Sequence, residues 1–166
     1  MIIVVQGIGL LATALVAITY IENSRVVMLL LQFSSSILFT IHYFLLGAHT
    51  GALLSILVAI RCLAYFKWEK NKVFVVFFMI TFSISGISTW QNVFSVLPTL
   101  GSVLFSLAFW FKNPRQIRLL SILPSCLWGA YGILTGSWGG IATEIICISS
   151  IIIGFFRYDF KKWIAY

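Results

Sequence analysis

Hydrophobic residues fall in seven long runs that cover almost the whole chain. Short breaks that carry charged residues, glycine, proline or asparagine separate the runs. Each run is long enough, or nearly so, for a tilted helix to cross a bilayer, which takes about 20 residues. The pattern therefore predicts an all-α membrane protein with seven transmembrane helices. These helices are expected at residues 2–21, 26–47, 50–66, 72–90, 93–111, 117–136 and 138–156.

The composition supports lipid as the solvent of this chain. Of its 166 residues, 61% are hydrophobic and only 9% are charged, whereas about a quarter of the residues of a soluble domain are charged. A soluble globular protein is therefore excluded. The three cysteines lie inside apolar runs without the spacing of metal ligands, so we expect no disulfide framework, no metal site and no cofactor.

The basic residues fall on one side of the predicted topology. Seven spans place alternate connections on opposite sides, and ten of the eleven Lys and Arg residues then share a side. Because basic residues accumulate in cytoplasmic loops, we expect the N-terminus outside and the C-terminus in the cytoplasm. Basic residues at the ends of apolar runs do not predict a nucleic-acid partner. The ten residues are Arg25, Lys67, Lys70, Lys72, Lys112, Arg115, Arg118, Arg157, Lys161 and Lys162.

The chain contains a weak internal repeat. A shift of 89 residues aligns 31–52 with 120–141 and matches six identical residues. Two pairs of glycines then fall at equivalent predicted turns: Gly47 and Gly51 with Gly136 and Gly140. Repetition of this kind predicts two related groups of helices.

The repeat predicts a 3+1+3 order of helices. Residues 1–68 would form one three-helix repeat, 69–91 a connecting transmembrane helix, and 92–166 a second three-helix repeat with a short basic tail. A single connecting helix returns the chain to its starting side, so both repeats run in the same direction about an axis along the membrane normal. Transporters with such parallel repeats bind their substrates near the midplane, between the halves.

The segment Leu38–Ala52, with the sequence LFTIHYFLLGAHTGA, is followed by Arg61. This motif resembles the bacterial inner-membrane proteins of the YgjV type. The resemblance extends in length and spacing over nearly the whole chain, and it implies a multi-pass protein of the bacterial inner membrane.

The 3+1+3 order also resembles the SWEET sugar transporters and the wider PQ-loop group. Pro98 and Pro124 stand where SWEET proteins carry hinge prolines in their fifth and sixth spans. The asparagines of the SWEET third repeat helices are replaced here by Ser55 and Glu144. This resemblance therefore implies the fold and not a sugar substrate.

Two charged residues lie inside predicted spans. Glu144 is about six residues from the outer rim, roughly 9 Å into the bilayer. A carboxylate there costs about 2.5–3.5 kcal/mol, so it should face the bundle interior, where it either couples a proton or cation or holds two helices together. Arg61 either extends to the lipid headgroups or faces inward, where it would attract an anionic substrate or pair with Glu144.

Further polar and aromatic residues follow helical spacing on the second and sixth spans. Gln32 and His42 lie on the second span, and Trp128 and Tyr131 on the sixth. Such stripes line either a solute path or a close helix contact. An aromatic face beside a polar edge is typical of pockets for small organic molecules.

These features predict a small-solute transporter with a midplane site between the two repeats. Pro98 and Pro124 are the candidate hinges, because proline removes a backbone hydrogen bond. A membrane receptor or partner subunit that binds a small ligand without moving it is the alternative. The sequence has no nucleophile–base pair, metal cluster or phosphate loop, so an enzyme is not expected. The expected partners are lipid and an unidentified solute, and homo-oligomerisation is left open.

Overall fold

A computed structural model describes residues 2–45, 49–69, 71–88, 90, 93–135 and 138–160. Seven α-helices make up most of this part of the chain, and they match the seven predicted runs. Their bounds are α1 Ile2–Ile21, α2 Arg25–Leu45, α3 His49–Lys67, α4 Lys72–Ser88, α5 Val96–Trp110, α6 Pro114–Thr135 and α7 Trp138–Gly154. A 3₁₀ turn, Val93–Ser95, precedes α5, and a π-helical segment, Phe155–Phe160, continues α7. The predicted turn glycines Gly47 and Gly136, and the basic residues Lys70, Lys161 and Lys162, lie outside the described residues.

Asparagine side chains set the starts of two helices. The Oδ1 atom of Asn71 accepts the Val73 backbone N–H at 2.9 Å, and that of Asn113 accepts the Arg115 N–H at 3.0 Å. Both bonds satisfy N–H groups that a first helical turn leaves unpaired. As a result α6 begins at Pro114 rather than at the predicted residue 117, because the hydrophobic run starts one turn later than the cap.

Five helical segments of the described chain are long and apolar enough to cross a membrane: Ile3–Ile21, Arg25–Leu45, Val93–Trp110, Pro114–Leu134 and Ile141–Asp159. α4 is apolar but shorter, with 17 residues. Large hydrophobic side chains point outward, as with Ile3 at 86% and Val73 at 71% exposure. An apolar outer surface of this extent is stable in lipid and not in water.

Six of the helices form a ring. α2 packs between α1 and α3, and α6 packs between α5 and α7. Contacts of α1 with α7 and of α3 with α5 close the ring, while α4 packs mainly on α5 from outside. The contact α1–α7 and the contact α3–α5 correspond to each other if α5, α6 and α7 repeat α1, α2 and α3.

The best-packed part of the interior lies at one end of the ring. It consists of aromatic and aliphatic side chains from the ends of α1, α3, α5 and α7 and the starts of α2, α4 and α6. The basic residues of the described chain occupy the same end. Toward the opposite end, the inward-facing side chains of α2 and α6 are mostly half-buried. The fully buried members of this core include Tyr20, Met28, Leu29, Tyr65, Phe78, Phe82, Phe109, Ile117 and Ile151.

Candidate functional site

Glu144 lies on α7 and packs against α6. A Cβ atom placed on Gly129 of α6 would lie 3.6 Å from the Cβ atom of Glu144, so the glycine leaves space for the acidic side chain. The Oε2 atom of Glu144 is buried and accepts no hydrogen bond. The carboxylate therefore points into the bundle rather than toward lipid, as the sequence predicts.

Buried polar atoms without a hydrogen-bond partner recur in the ring helices. In the described residues they are Oε1 of Gln32 on α2, Nε of Arg61 on α3, Nε1 of Trp110 on α5, Oγ of Ser121 and Ser125 on α6, and Oε2 of Glu144 on α7. Gln32 and Ser121 are equivalent under the shift of 89 residues. Buried polar groups are nearly always bonded to protein or to water. These buried atoms are thus polar groups that water or a ligand can satisfy.

His42 joins α2 to α1. Its Nδ1 atom lies 2.8 Å from the carbonyl oxygen of Val5, which can only accept, so Nδ1–H donates. A Cβ atom on Gly9 would come within 2.8 Å of the imidazole ring. The histidine therefore packs closely on α1 through a glycine and is half-buried.

Trp128 of α6 packs on α5, and Tyr131 lies beside it on α6. Their rings are perpendicular, with centroids 6.2 Å apart. A Cβ atom on Gly101 of α5 would come within 2.7 Å of the indole. Tyr131 is the repeat equivalent of His42 under the shift of 89 residues. In each half, an aromatic residue toward the end of the ring opposite the basic end packs on a glycine of the preceding helix.

Arg61 is 1% exposed and lies apart from Glu144. Its Nη1 atom donates to the Ser106 hydroxyl on α5 at 3.3 Å. Its guanidinium carbon lies 5.8 Å from the centre of the Phe82 ring and 5.3 Å from that of Phe109. Within the described chain Arg61 neither extends to the headgroups nor pairs with Glu144, because α4 and α5 enclose it. The attraction of an anionic substrate by Arg61 stays a prediction.

Arg25, at the start of α2, crosslinks the basic end of the bundle. Nε donates to the Phe111 carbonyl at 2.8 Å, Nη2 donates to the Tyr65 carbonyl at 3.1 Å, and Nη1 pairs with Glu69 at 3.1 Å. Lys112 also pairs with Glu69. The α2 arginine thus binds the C-terminal ends of α3 and α5.

Arg118, in the second turn of α6, makes the matching set of contacts. Nε and Nη2 donate to the two oxygens of Asp159 at 3.0 and 2.9 Å. Nη1 donates to the Glu22 carbonyl at 2.7 Å, and Nη2 donates to Asn23 at 3.2 Å. The α6 arginine thus binds the C-terminal ends of α7 and α1. We call the Arg25–Glu69 and Arg118–Asp159 contacts the arginine clamps.

The sequence contained a signal for the clamps that the count of basic residues did not use. Glu69 and Asp159 are 90 residues apart, and two of the residues whose carbonyls are bound, Glu22 and Phe111, are 89 apart. The arginines break the spacing, since Arg118 lies 93 residues after Arg25, and the bonds to Tyr65 and Asn23 have no counterpart.

The two candidate hinge prolines occupy different places. Pro98 lies in the first turn of α5, where a helix has few backbone bonds to lose. Pro124 lies inside α6, where it leaves the carbonyl of residue 120 without its helical donor. Among the described residues, no group of three His, Cys, Asp or Glu side chains is placed to hold a metal ion.

The comparisons with known proteins agree with this architecture. Residues 3–162 match the Imp-YgjV family, described as bacterial inner membrane protein. The chain is 28% identical over 140 residues to the inner membrane protein YgjV of Escherichia coli (strain K12), covering 84% of this chain and 75% of that relative. No solved structure matches the chain. With seven helices, an apolar outer surface and a family match over almost its whole length, the chain is a multi-pass bacterial inner membrane protein that belongs to the Imp-YgjV family.

Proposed function

We propose that this protein is a small-solute transporter of the inner membrane. The solute path would run between two parallel three-helix halves, α1–α3 and α5–α7, joined by α4 in a SWEET-like 3+1+3 order. The N-terminus would lie outside and the C-terminus in the cytoplasm.

The buried polar oxygen atoms of the ring helices are the observation that carries this proposal. Gln32 belongs to the first half, and Ser121, Ser125 and Glu144 belong to the second. None of their buried oxygen atoms makes a well-formed hydrogen bond in the described structure, although Ser125 lies beside Glu144 and Ser121 beside Tyr20. Polar groups inside a membrane bundle are costly unless they are bonded. A path that carries water or a polar solute between the halves accounts for all four atoms.

Similar contacts in the two halves support the parallel repeat. The Gly9–His42 packing of α1 on α2 resembles the Gly101–Trp128 packing of α5 on α6, although the two contacts lie at different positions of the repeat. The two arginine clamps are also similar, and each joins one half to the end of the other.

The two ends of the ring differ in a way that suits alternating access. The aromatic core and the arginine clamps close the basic end, while His42, Trp128, Tyr131 and Glu144 are half-buried toward the other end. Because basic residues face the cytoplasm, the closed end is assigned to the cytoplasmic side and the conformation to an outward-facing state. Pro124 suits a hinge for the opposite state, since its helix already lacks one backbone bond.

The first test is uptake by proteoliposomes from a defined mixture of amino acids, sugars and carboxylic acids, read by mass spectrometry. We expect at least one solute to accumulate with wild-type protein, and its uptake to lose its response to an inward proton gradient in Glu144→Gln. Cys126→Ser, at a position exposed on the outside of α6, is the matched control and should behave as wild type. Retained gradient dependence in Glu144→Gln would remove the carboxylate from coupling.

The alternative is a receptor or partner subunit that binds a solute without moving it. It is favoured by the aromatic core and the arginine clamps that close the basic end of the ring, because a site open at one end only can bind a solute without passing it on. The same mixture separates the two functions. A solute that raises the unfolding temperature of the protein and never enters the liposomes would replace the transporter by the receptor.

A further inference from the structure

Three arginines of the described chain have buried side chains, and they differ in how their charges are balanced. Arg25 pairs with Glu69, and Arg118 binds both oxygens of Asp159. Arg61 has 1% of its surface exposed and contacts no carboxylate. The third guanidinium therefore lacks the counter-charge that the other two have.

No acidic residue of this chain supplies that charge. The sequence contains only four, and the structure describes all of them: Glu22, Glu69, Glu144 and Asp159. Glu69 and Asp159 belong to the clamps, and neither Glu22 nor Glu144 forms an ion pair with Arg61 in the described structure. No carboxylate side chain of the protein therefore balances the charge of Arg61 in the described structure.

Arg61 cannot remove its own charge. A guanidinium stays protonated in proteins, so burial cannot neutralise it as it can a carboxylate. Its surroundings satisfy it only in part: Nη1 donates to the neutral Ser106 hydroxyl, and the Phe82 and Phe109 rings offer their faces. The Nε–H group is buried and has no partner.

We infer that Arg61 binds a small anion between α3, α4 and α5, either an inorganic ion or the carboxylate group of an organic solute. The Arg61 N–H groups are the donors. Ser106 is a positioning residue, because its hydroxyl accepts from Arg61 and donates to the Ser102 carbonyl. Tyr65 supports the same turn of α5 by donating to the Ser106 carbonyl at 2.9 Å.

This site does not depend on the proposed transport, since an anion can bind without being carried. The test is the unfolding temperature of the purified protein in sodium chloride, sodium acetate or sodium gluconate at equal ionic strength. We expect a saturable rise in chloride or acetate relative to gluconate, because a ligand of the folded state stabilises it. A larger effect of chloride assigns an inorganic ion, and a larger effect of acetate assigns a carboxylate.

Variants test whether the anion raises the unfolding temperature by binding at Arg61. In Arg61→Gln the dependence on the anion should disappear, whereas Lys67→Gln, which removes an exposed cation near the end of the same helix, should retain it. Arg61→Lys keeps the charge and should raise the half-saturating anion concentration by about tenfold, because an ammonium lacks the planar set of N–H groups. It also keeps the test valid if the glutamine variant does not fold. An absent anion effect in wild type, or an unchanged half-saturation in the lysine variant, would overturn the inference.

Discussion

Gly154 shows how a single residue fixes the contact between the halves. It lies at the end of α7, where a Cβ atom would fall on the carbonyl oxygen of Tyr20 and within 2.9 Å of the Arg118 Cδ atom. The first of these is backbone of α1 and cannot move without moving the helix. The absence of a side chain therefore allows α1, α6 and α7 to meet at the Arg118 clamp.

We predict that Gly154→Ala lowers stability by about 3 kcal/mol, at the upper end of the usual cost of overpacking, because a helix backbone would have to shift. Gly129→Ala is the control, since its Cβ atom would make an ordinary contact of 3.6 Å with Glu144. Thermal unfolding in detergent measures both. Equal unfolding temperatures for the two variants would mean that the approach of α1 to α7 is not as tight as described.

For single residues, the sequence predicted which way a side chain faces better than it predicted the residues that the side chain contacts. Helical spacing and the cost of burying a charge were enough to predict that Glu144 faces the interior of the bundle. The environment of Arg61 could not be predicted, because spacing gives the face of a helix and not the neighbouring helix that covers it. For Arg25 and Arg118 the sequence predicts a position at the membrane rim and not the hydrogen-bond partners, because those partners lie 40 to 96 residues away in sequence.

The helices themselves could be predicted almost completely, because each break in hydrophobicity is also a turn. The remaining differences have local causes, such as the Asn113 cap that starts α6 early. The π-helical segment Phe155–Phe160 could not be predicted, since nothing in the hydrophobic pattern distinguishes it from α-helix. It matters because it carries Asp159 to Arg118.

The two arginine clamps should contribute unequally to stability. Asp159 and Arg118 are almost fully buried, whereas the Glu69 side chain is 42% exposed. Removing one charge of a buried pair leaves the other without compensation and costs about 3–5 kcal/mol, while an exposed pair contributes about 1 kcal/mol or less.

We therefore predict a large fall in unfolding temperature for Asp159→Asn and a small one for Glu69→Gln. Both variants keep the shape of the side chain, so the difference reports the charge. A larger fall in unfolding temperature for Glu69→Gln than for Asp159→Asn would show that the π-helical segment does not hold Arg118 as tightly as Glu69 holds Arg25.

For the whole molecule, the repeat in the sequence stays a prediction of which helices correspond. Six identities over 22 positions are few in an apolar chain. In the described structure an arginine contact and a glycine contact of similar kind occur in each predicted repeat, although the arginines and aromatic residues that make them differ in position or type.

A hydrated path between the halves would bring water to the inward-facing side of α6 and not to its lipid-facing side, and two adjacent residues of that helix can show the difference. Ser125 is fully buried in the ring and Cys126 faces outward into lipid. In a background with Cys62 and Cys147 replaced by serine, a single cysteine at residue 125 or at residue 126 is treated with a charged, membrane-impermeant thiol reagent in native membranes. We predict labelling of Ser125→Cys and none of Cys126, because the reagent needs water to reach a thiol. An unlabelled Ser125→Cys in a folded protein would contradict the path and the transporter with it.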